Sequence, residues 1–141
     1  MKKLVIIDGQ GGRLGQMIVE GLKKECLDAE LYAIGTNSAA TLAMIRAGAD
    51  YGATGENPVL VACRDADYIV GPIGIVAADA LLGEITPKMV VAIGQSPALK
   101  LLLPVSHCNN QVIGVKDQTM SEMVKETVET LRNLLAGKGM P

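Results

Sequence analysis

Apolar and polar positions along this chain fall into blocks whose period changes repeatedly. Residues 3–7 end in the unbroken apolar run Leu4-Val5-Ile6-Ile7, which predicts a short buried strand. Over residues 12–25 the apolar positions Leu14, Met17, Ile18 and Leu22 recur at helical spacing. Lys23 and Lys24 fall in the last turn, where the helix dipole favours cations. Residues 30–34 read as a second strand, closed by Gly35-Thr36-Asn37. Asn37 or Ser38 caps a helix running to about Ala47 through Leu42, Met44 and Ile45, and Gly48 stops it. Residues 49–57 form a glycine-punctuated connection with room for one short strand. Asn57-Pro58 opens a helix with Pro58 in its first position, ending near Asp65. Residues 68–70 are a further strand, running into Gly71-Pro72-Ile73-Gly74. Residues 75–83 are apolar and ambiguous, compatible with a helix that Gly83 would end. Thr86-Pro87 begins a clearer helix to about Gly94. Residues 99–105 and 111–115 read as two more strands. Thr119 or Ser121 caps a last helix with the stripe Met120, Met123, Val124, Thr127, Val128, Leu131, Leu134 and Leu135, stopped by Gly137.

Strand and helix in alternation specify an α/β fold. The expectation is a three-layer, Rossmann-like, doubly wound and mostly parallel sheet with helices on both faces. Residues 1–136 make a single domain and 137–141 a frayed tail. Linkers, repeats and low-complexity segments are not evident.

Composition narrows the function. The 141 residues contain neither Phe nor Trp, so the core is built from Val, Ile, Leu, Ala and Met. A net charge of −2, dispersed along the chain, leaves no clustered basic face for nucleic acid. Tyr32, Tyr51 and Tyr68 are too few for a base-stacking platform. Four apolar residues after Lys2-Lys3 are too short for a signal peptide, and no apolar run approaches a membrane span. Cys26, Cys63 and Cys108 lack the spacing of a disulfide framework or a zinc site. A soluble cytoplasmic protein is the expectation.

The candidate chemistry lies in Asp8-Gly9-Gln10-Gly11-Gly12-Arg13-Leu14-Gly15. Gly9, Gly12 and Gly15 form G-x-x-G-x-x-G, and Gly11 adds a fourth glycine. The dinucleotide pattern G-x-G-x-x-G is not met, because Leu14 stands where its last glycine would be. The three-residue spacing resembles that of extended and atypical short-chain dehydrogenases. Glycines at such a turn allow a tight bend, a close approach by pyrophosphate, and close packing of helix on strand. The helix N-terminus adds free N–H groups and partial positive charge. Turn chemistry alone also favours glycine there. For Asp8, two readings stand: a carboxylate bonding backbone N–H groups of the turn, or one holding a cation such as Mg²⁺.

Thr36 and Asn37 stand where a dinucleotide site carries a ribose-binding acid. With no carboxylate in that position of the sequence, NADP is favoured over NAD. Gly71, Pro72, Ile73 and Gly74 are expected on the same rim, as a wall against a flat ligand or as a packed turn, together with residues 52–57 and 104–110. Glu84 and Thr86 are further candidates for the rim, Thr86 also as an N-cap. His107 and Cys108 are neighbours in a polar loop, so their side chains diverge and make no natural dyad. No Tyr is followed four positions later by Lys, which excludes short-chain dehydrogenase chemistry, and no G-K-[ST] marks a Walker site.

The segments Ile7-Asp8-Gly9-Gln10-Gly11-Gly12, Gly35-Thr36-Asn37, Ala47-Gly48-Ala49-Asp50, Gly52-Ala53-Thr54-Gly55-Glu56-Asn57, Gly71-Pro72-Ile73-Gly74-Ile75 and Gly83-Glu84-Ile85-Thr86-Pro87 together resemble a small family of uncharacterised bacterial proteins. That family is a domain of unknown function found mostly in anaerobic Gram-positive bacteria. The resemblance implies a stand-alone cytoplasmic domain and no known activity. The leading expectation is a nucleotide or other phosphorylated small molecule bound at the glycine loop, with no nucleic-acid or membrane partner. Alternatives are a small oligomeric enzyme using Asp8, Glu84 or His107 on a phosphorylated metabolite, or an interaction module with no ligand. Ile75, Val76, Leu81, Leu82, Val90 and Val91 exceed what one small sheet covers, so homo-oligomerisation is expected.

Overall fold

The computed structural model describes residues 1–105 and 109–138. Its elements run β1 (Lys2–Asp8), α1 (Arg13–Lys24), β2 (Ala29–Gly35), α2 (Ser38–Arg46), β3 (Tyr51–Thr54), α3 (Glu56–Cys63), β4 (Tyr68–Pro72), a single 3₁₀ turn (Ile73–Val76), α4 (Pro87–Gln95), β5 (Leu99–Leu103) and α5 (Met120–Leu135). The five strands form one parallel sheet in the order β3-β2-β1-β4-β5. The α/β fold expected from the sequence is therefore present.

Alternation along the strands explains the layers. Leu4 and Ile6 face one side of the sheet and pack with Leu14, Ile18, Val19, Met44, Val124 and Leu131, from α1, α2 and α5. Val5 and Ile7 face the other side and pack with Val59, Cys63, Met89 and Ile93, from α3 and α4. Neighbouring Cβ atoms on a strand point to opposite faces, so a run buried on both sides must be apolar throughout. The side chains of Leu4, Val5, Ile6 and Ile7 are all fully buried.

Capping follows the sequence closely. Asn37 caps α2 by accepting from the Ala40 N–H, and Thr86 caps α4 by accepting from Met89, with Pro87 at the first position. Thr119 and Glu122 cap each other's backbone at the start of α5. Pro58 is displaced from expectation: α3 begins at Glu56, so the proline stands third in the helix.

Two expected elements are corrected. Residues 111–115 form no strand. Ile113 is 87% exposed, Val115 is exposed, and Gly114 turns the chain at φ +86. Only Val112 is half-buried there, and no strand pairs with the outer edge of β5 among the described residues. Residues 75–83, compatible with a helix by sequence, form no α-helix beyond the 3₁₀ turn that ends at Val76. Ile75, Ala80, Leu81 and Ile85 all enter the core, yet on a continuous helix Ile75 and Ala80 would point about 140° apart. The chain instead takes left-handed backbone at Asp79, Leu81 and Leu82 to bring them in.

Burial also revises the apolar surface expected for self-association. Ile75 and Leu81 belong to this chain's own core, whereas Val76, Leu82 and Val91 are exposed. No helix among the described residues is long and apolar enough to cross a membrane.

Candidate functional site

In this strand order the chain moves outward from β1 to β3, then returns to lay β4 on the opposite flank of β1. The connections leaving β1 and β4 therefore depart to opposite faces. Such a divergence at the C-terminal strand ends is where open α/β sheets take their ligands. The strand ends are level: Asp8 pairs with Gly35, and Gly35 with Thr54. The Thr36 N–H continues the ladder to the Asp8 carbonyl at 3.0 Å.

The turn from β1 into α1 closes with the Gly12 N–H on the Gly9 carbonyl at 2.9 Å. Its glycines serve different purposes. A side chain at Gly12 would meet Ala40 of α2, its Cβ 2.6 Å from Ala40 Cα, and the backbone there has φ +73. A Cβ at Gly15 would lie 2.5 Å from the Met44 sulfur and 3.0 Å from Asp8 Cβ. One at Gly9 would meet Thr36, Glu84 and Leu81. Packing and backbone geometry thus account for three of the four. Gly11 stands apart. It is exposed, lacks positive φ, and a Cβ there would meet nothing within 4 Å.

Asp8 is buried at the end of β1. Its carboxylate accepts from the Gly9 N–H at 2.8 Å and from the Gly15 N–H at 2.7 Å. It therefore fills the first turn of α1, the role a capping side chain would otherwise take. Of the two readings open for Asp8, the backbone one is present. Groups of three or more His, Cys, Asp or Glu suited to a metal are absent among the described residues. Burial raises the Asp8 pKa above its ordinary value, the Gly15 and Gly9 N–H groups oppose that rise, and the charge of Glu84 adds to it.

Glu84 is the residue that joins the rim. Its Oε1 accepts from three donors on two other segments: the Gln10 N–H at 2.9 Å, the Thr36 hydroxyl at 2.5 Å and the Asn37 amide at 2.9 Å. Burial opposes its charge, but the bonds from Thr36, Gln10 and Asn37 together outweigh burial and lower its pKa. Asn37 also donates to the Gln10 carbonyl at 2.9 Å while capping α2. Thr86, beyond Glu84, donates to Glu56 at 2.5 Å, which ties the start of α4 to the start of α3.

The other candidates divide by exposure. Gln10, Gly11 and Arg13 are exposed at the tip of the turn, and Thr36 and Asn37 are half-buried beside it. Leu14 is buried in the core under α1. Gly71, Pro72 and Gly74 are buried, and a Cβ at Gly71 would collide with the Ile7 carbonyl, so only Ile73 of that segment offers surface. Its glycine is a close approach between strands β1 and β4. Arg13 is the basic residue of the turn and forms no ion pair among the described residues. His107 and Cys108 lie outside the described residues. Sequence placed Glu84 only near the rim. No local spacing could show that it meets Thr36, which is 48 residues away.

One large opening lies away from this turn. A groove of about 620 Å³ runs between α3 and α4, past Leu60, Cys63, Arg64, Lys88 and Val91. Burial pushes the Cys63 thiol up to about 11, against the opposing charges of Lys3 and Lys100, which favours the thiol over the thiolate. The groove carries the polar side chains of Arg64, Lys88, Gln95 and Ser96 on helix flanks, whereas the rim lies at the switch point, where open α/β sheets take their ligands.

An open parallel sheet with a glycine turn at its switch point defines a Rossmann-like, doubly wound α/β domain. The chain belongs to the domain of unknown function DUF3842, which it matches over residues 3–136. No curated protein matches it. Among solved structures it is similar to a dodecameric FMN-dependent Ubix-like decarboxylase from Escherichia coli O157:H7. The identity is 18% and the TM-score 0.41, over 93% of this chain and 76% of that one.

Proposed function

We propose that this domain binds a nucleotide or another phosphorylated small molecule over the tip of the turn between β1 and α1. Gly11 carries the reading. Neither packing nor backbone geometry demands glycine there, and its bare backbone faces open space at the switch point. Phosphate approaching a backbone requires such a clearing. Arg13, exposed in the first turn of α1, supplies a cation at the same place.

The ground for preferring NADP to NAD is weaker in three dimensions. That preference rested on the lack of an acid after β2, yet the Glu84 carboxylate stands 2.5 Å from Thr36. Both cofactors belong in the test. The test is thermal unfolding with NADP, NAD, ATP, GTP, AMP, FMN, coenzyme A and inorganic phosphate, on the native chain and on Gly11→Asp. A ligand at a hundred times its Kd raises the midpoint by about 8 °C. The shift is lost in Gly11→Asp, whose added carboxylate fits the open space but repels phosphate. No shift with any ligand, or an equal shift in the variant, contradicts the proposal.

Self-association is supported by a different surface. Val61 on α3 is 45% exposed, and Val91 on α4, which lines the groove between those helices, is 53% exposed. Light scattering coupled to gel filtration tests it, with a mass above one chain expected and a monomer against it.

A further inference from the structure

We propose that Glu84 is an internal occupant of the anion site, an autoinhibitory latch that the ligand's phosphate must displace. The inference rests on the ligand-binding reading above and concerns what fills that site when it is empty of ligand.

Three neutral donors converge on one carboxylate oxygen: the Gln10 N–H from the end of β1, and the Thr36 hydroxyl and Asn37 amide from the end of β2. Two of the donors are also held by bonds that do not involve Glu84. Gln10 is placed by the turn that Gly9 and Gly12 close, and Asn37 by its cap on α2 and its bond to the Gln10 carbonyl. The Thr36 backbone is held by its ladder bond to Asp8, and its hydroxyl turns to Glu84. A cradle of neutral donors on such a frame accepts any anionic oxygen of the right reach. Glu84 fills it from a third segment.

Arg13, the cation of the turn, forms no ion pair with Glu84, and Asp8 lies close enough to interact electrostatically with Glu84. A phosphate and the Glu84 carboxylate carry the same sign and need the same three donors. Their occupancies exclude each other.

The latch can open without unpicking the core. Ala80, Leu81 and Ile85 anchor the segment on either side, all buried. From Leu81 to Gly83 the backbone takes φ +56, +57 and +90, and Leu82 is 94% exposed. Rotation of the Glu84 side chain alone frees the cradle while those anchors stay in place. Gln10, Gly11 and Arg13 are exposed at the same tip, so a ligand seated on them reaches the donors as Glu84 leaves.

The test is calorimetric titration of the intact chain, Glu84→Gln and Glu84→Ala with inorganic phosphate and with NADP, with circular dichroism to confirm folding. Removal of a competing charge-assisted hydrogen bond is expected to tighten phosphate-bearing probes about tenfold in Glu84→Ala. Glu84→Gln keeps the shape and an acceptor without the charge, and falls between; it also carries the test should the alanine variant fail to fold. Binding by the native chain that Glu84→Ala weakens makes Glu84 a direct contact to the ligand and overturns the latch while leaving ligand binding intact. Binding unchanged within twofold makes it a structural tie and overturns it equally. Absence of binding in every variant overturns both readings.

Discussion

Thr36 Oγ1 and the Glu84 carboxylate lie 2.5 Å apart across the mouth of the sheet, although 48 residues separate them in the chain. The bond joins the end of β2 to the segment before α4. It also brings Glu84 within electrostatic range of the buried Asp8.

The two carboxylates are expected to titrate in opposite directions from their ordinary values. Burial raises Asp8 above 3.8, whereas hydrogen bonds from Thr36, Gln10 and Asn37 prevail over burial and lower Glu84 below 4.5. For Asp8, the protonated form is favoured on folding, so its contribution to stability is full below 3.8 and is lost as pH rises through the raised folded value. For Glu84, the contribution is full above 4.5 and is lost as pH falls through its lowered folded value. Carbon-detected NMR titration of the side-chain carboxyls checks both. Unshifted values at either residue contradict the site geometry.

Neighbouring glycines should respond very differently to a methyl group. Gly12→Ala places a Cβ against Ala40 on left-handed backbone and is expected to cost about 1–3 kcal/mol. Gly11→Ala meets nothing and should stay within about 0.5 kcal/mol of the native chain. Urea unfolding of the two variants checks the contrast. Equal destabilisation would mean that Gly11 is also structural, and the ligand reading would lose its main support.

Leu82 offers a substitution expected to stabilise. It is 94% exposed, so it gives up little buried surface, and it holds φ +57, where leucine is disfavoured. Leu82→Asn accepts that backbone more readily and should gain roughly 0.5–1 kcal/mol. A lower thermal midpoint than the native chain would show that the Leu82 side chain has a partner that its exposure conceals.

Thr86 both caps α4 and donates to Glu56. Thr86→Ala should cost about 1 kcal/mol, and Thr86→Ser should restore most of it. Chemical denaturation of both decides whether the hydroxyl, rather than the methyl, holds the start of α4.

Local signals carried most of the fold into the sequence. Asn37, Thr86 and Thr119 cap their helices because capping is written in a few adjacent residues. Leu4-Val5-Ile6-Ile7 read as a strand buried on both faces because each face needs its own apolar residues. The failures are nonlocal. Val112, Ile113 and Val115 have the composition of a strand, but a strand exists only with a partner, and no neighbouring residue reveals that one is missing. Residues 75–83 were ambiguous because their apolar positions satisfy the core through left-handed turns, a geometry no periodicity describes. At the site, the glycine turn was legible, but the division of labour within it was not. Gly9, Gly12 and Gly15 answer to Glu84, Ala40 and Met44, all distant in the chain. Glu84 itself became central only once the two loops met.

The most direct measurement is an amide NMR titration of the ¹⁵N-labelled chain with NADP, NAD and AMP at a fixed pH. Ligand binding over the turn between β1 and α1 is expected to shift Gln10, Gly11, Arg13, Thr36 and Asn37 together, with one affinity. Shifts confined to Leu60, Arg64, Lys88 and Val91 would place the ligand in the groove between α3 and α4 instead, and a spectrum that no nucleotide moves would contradict nucleotide binding altogether.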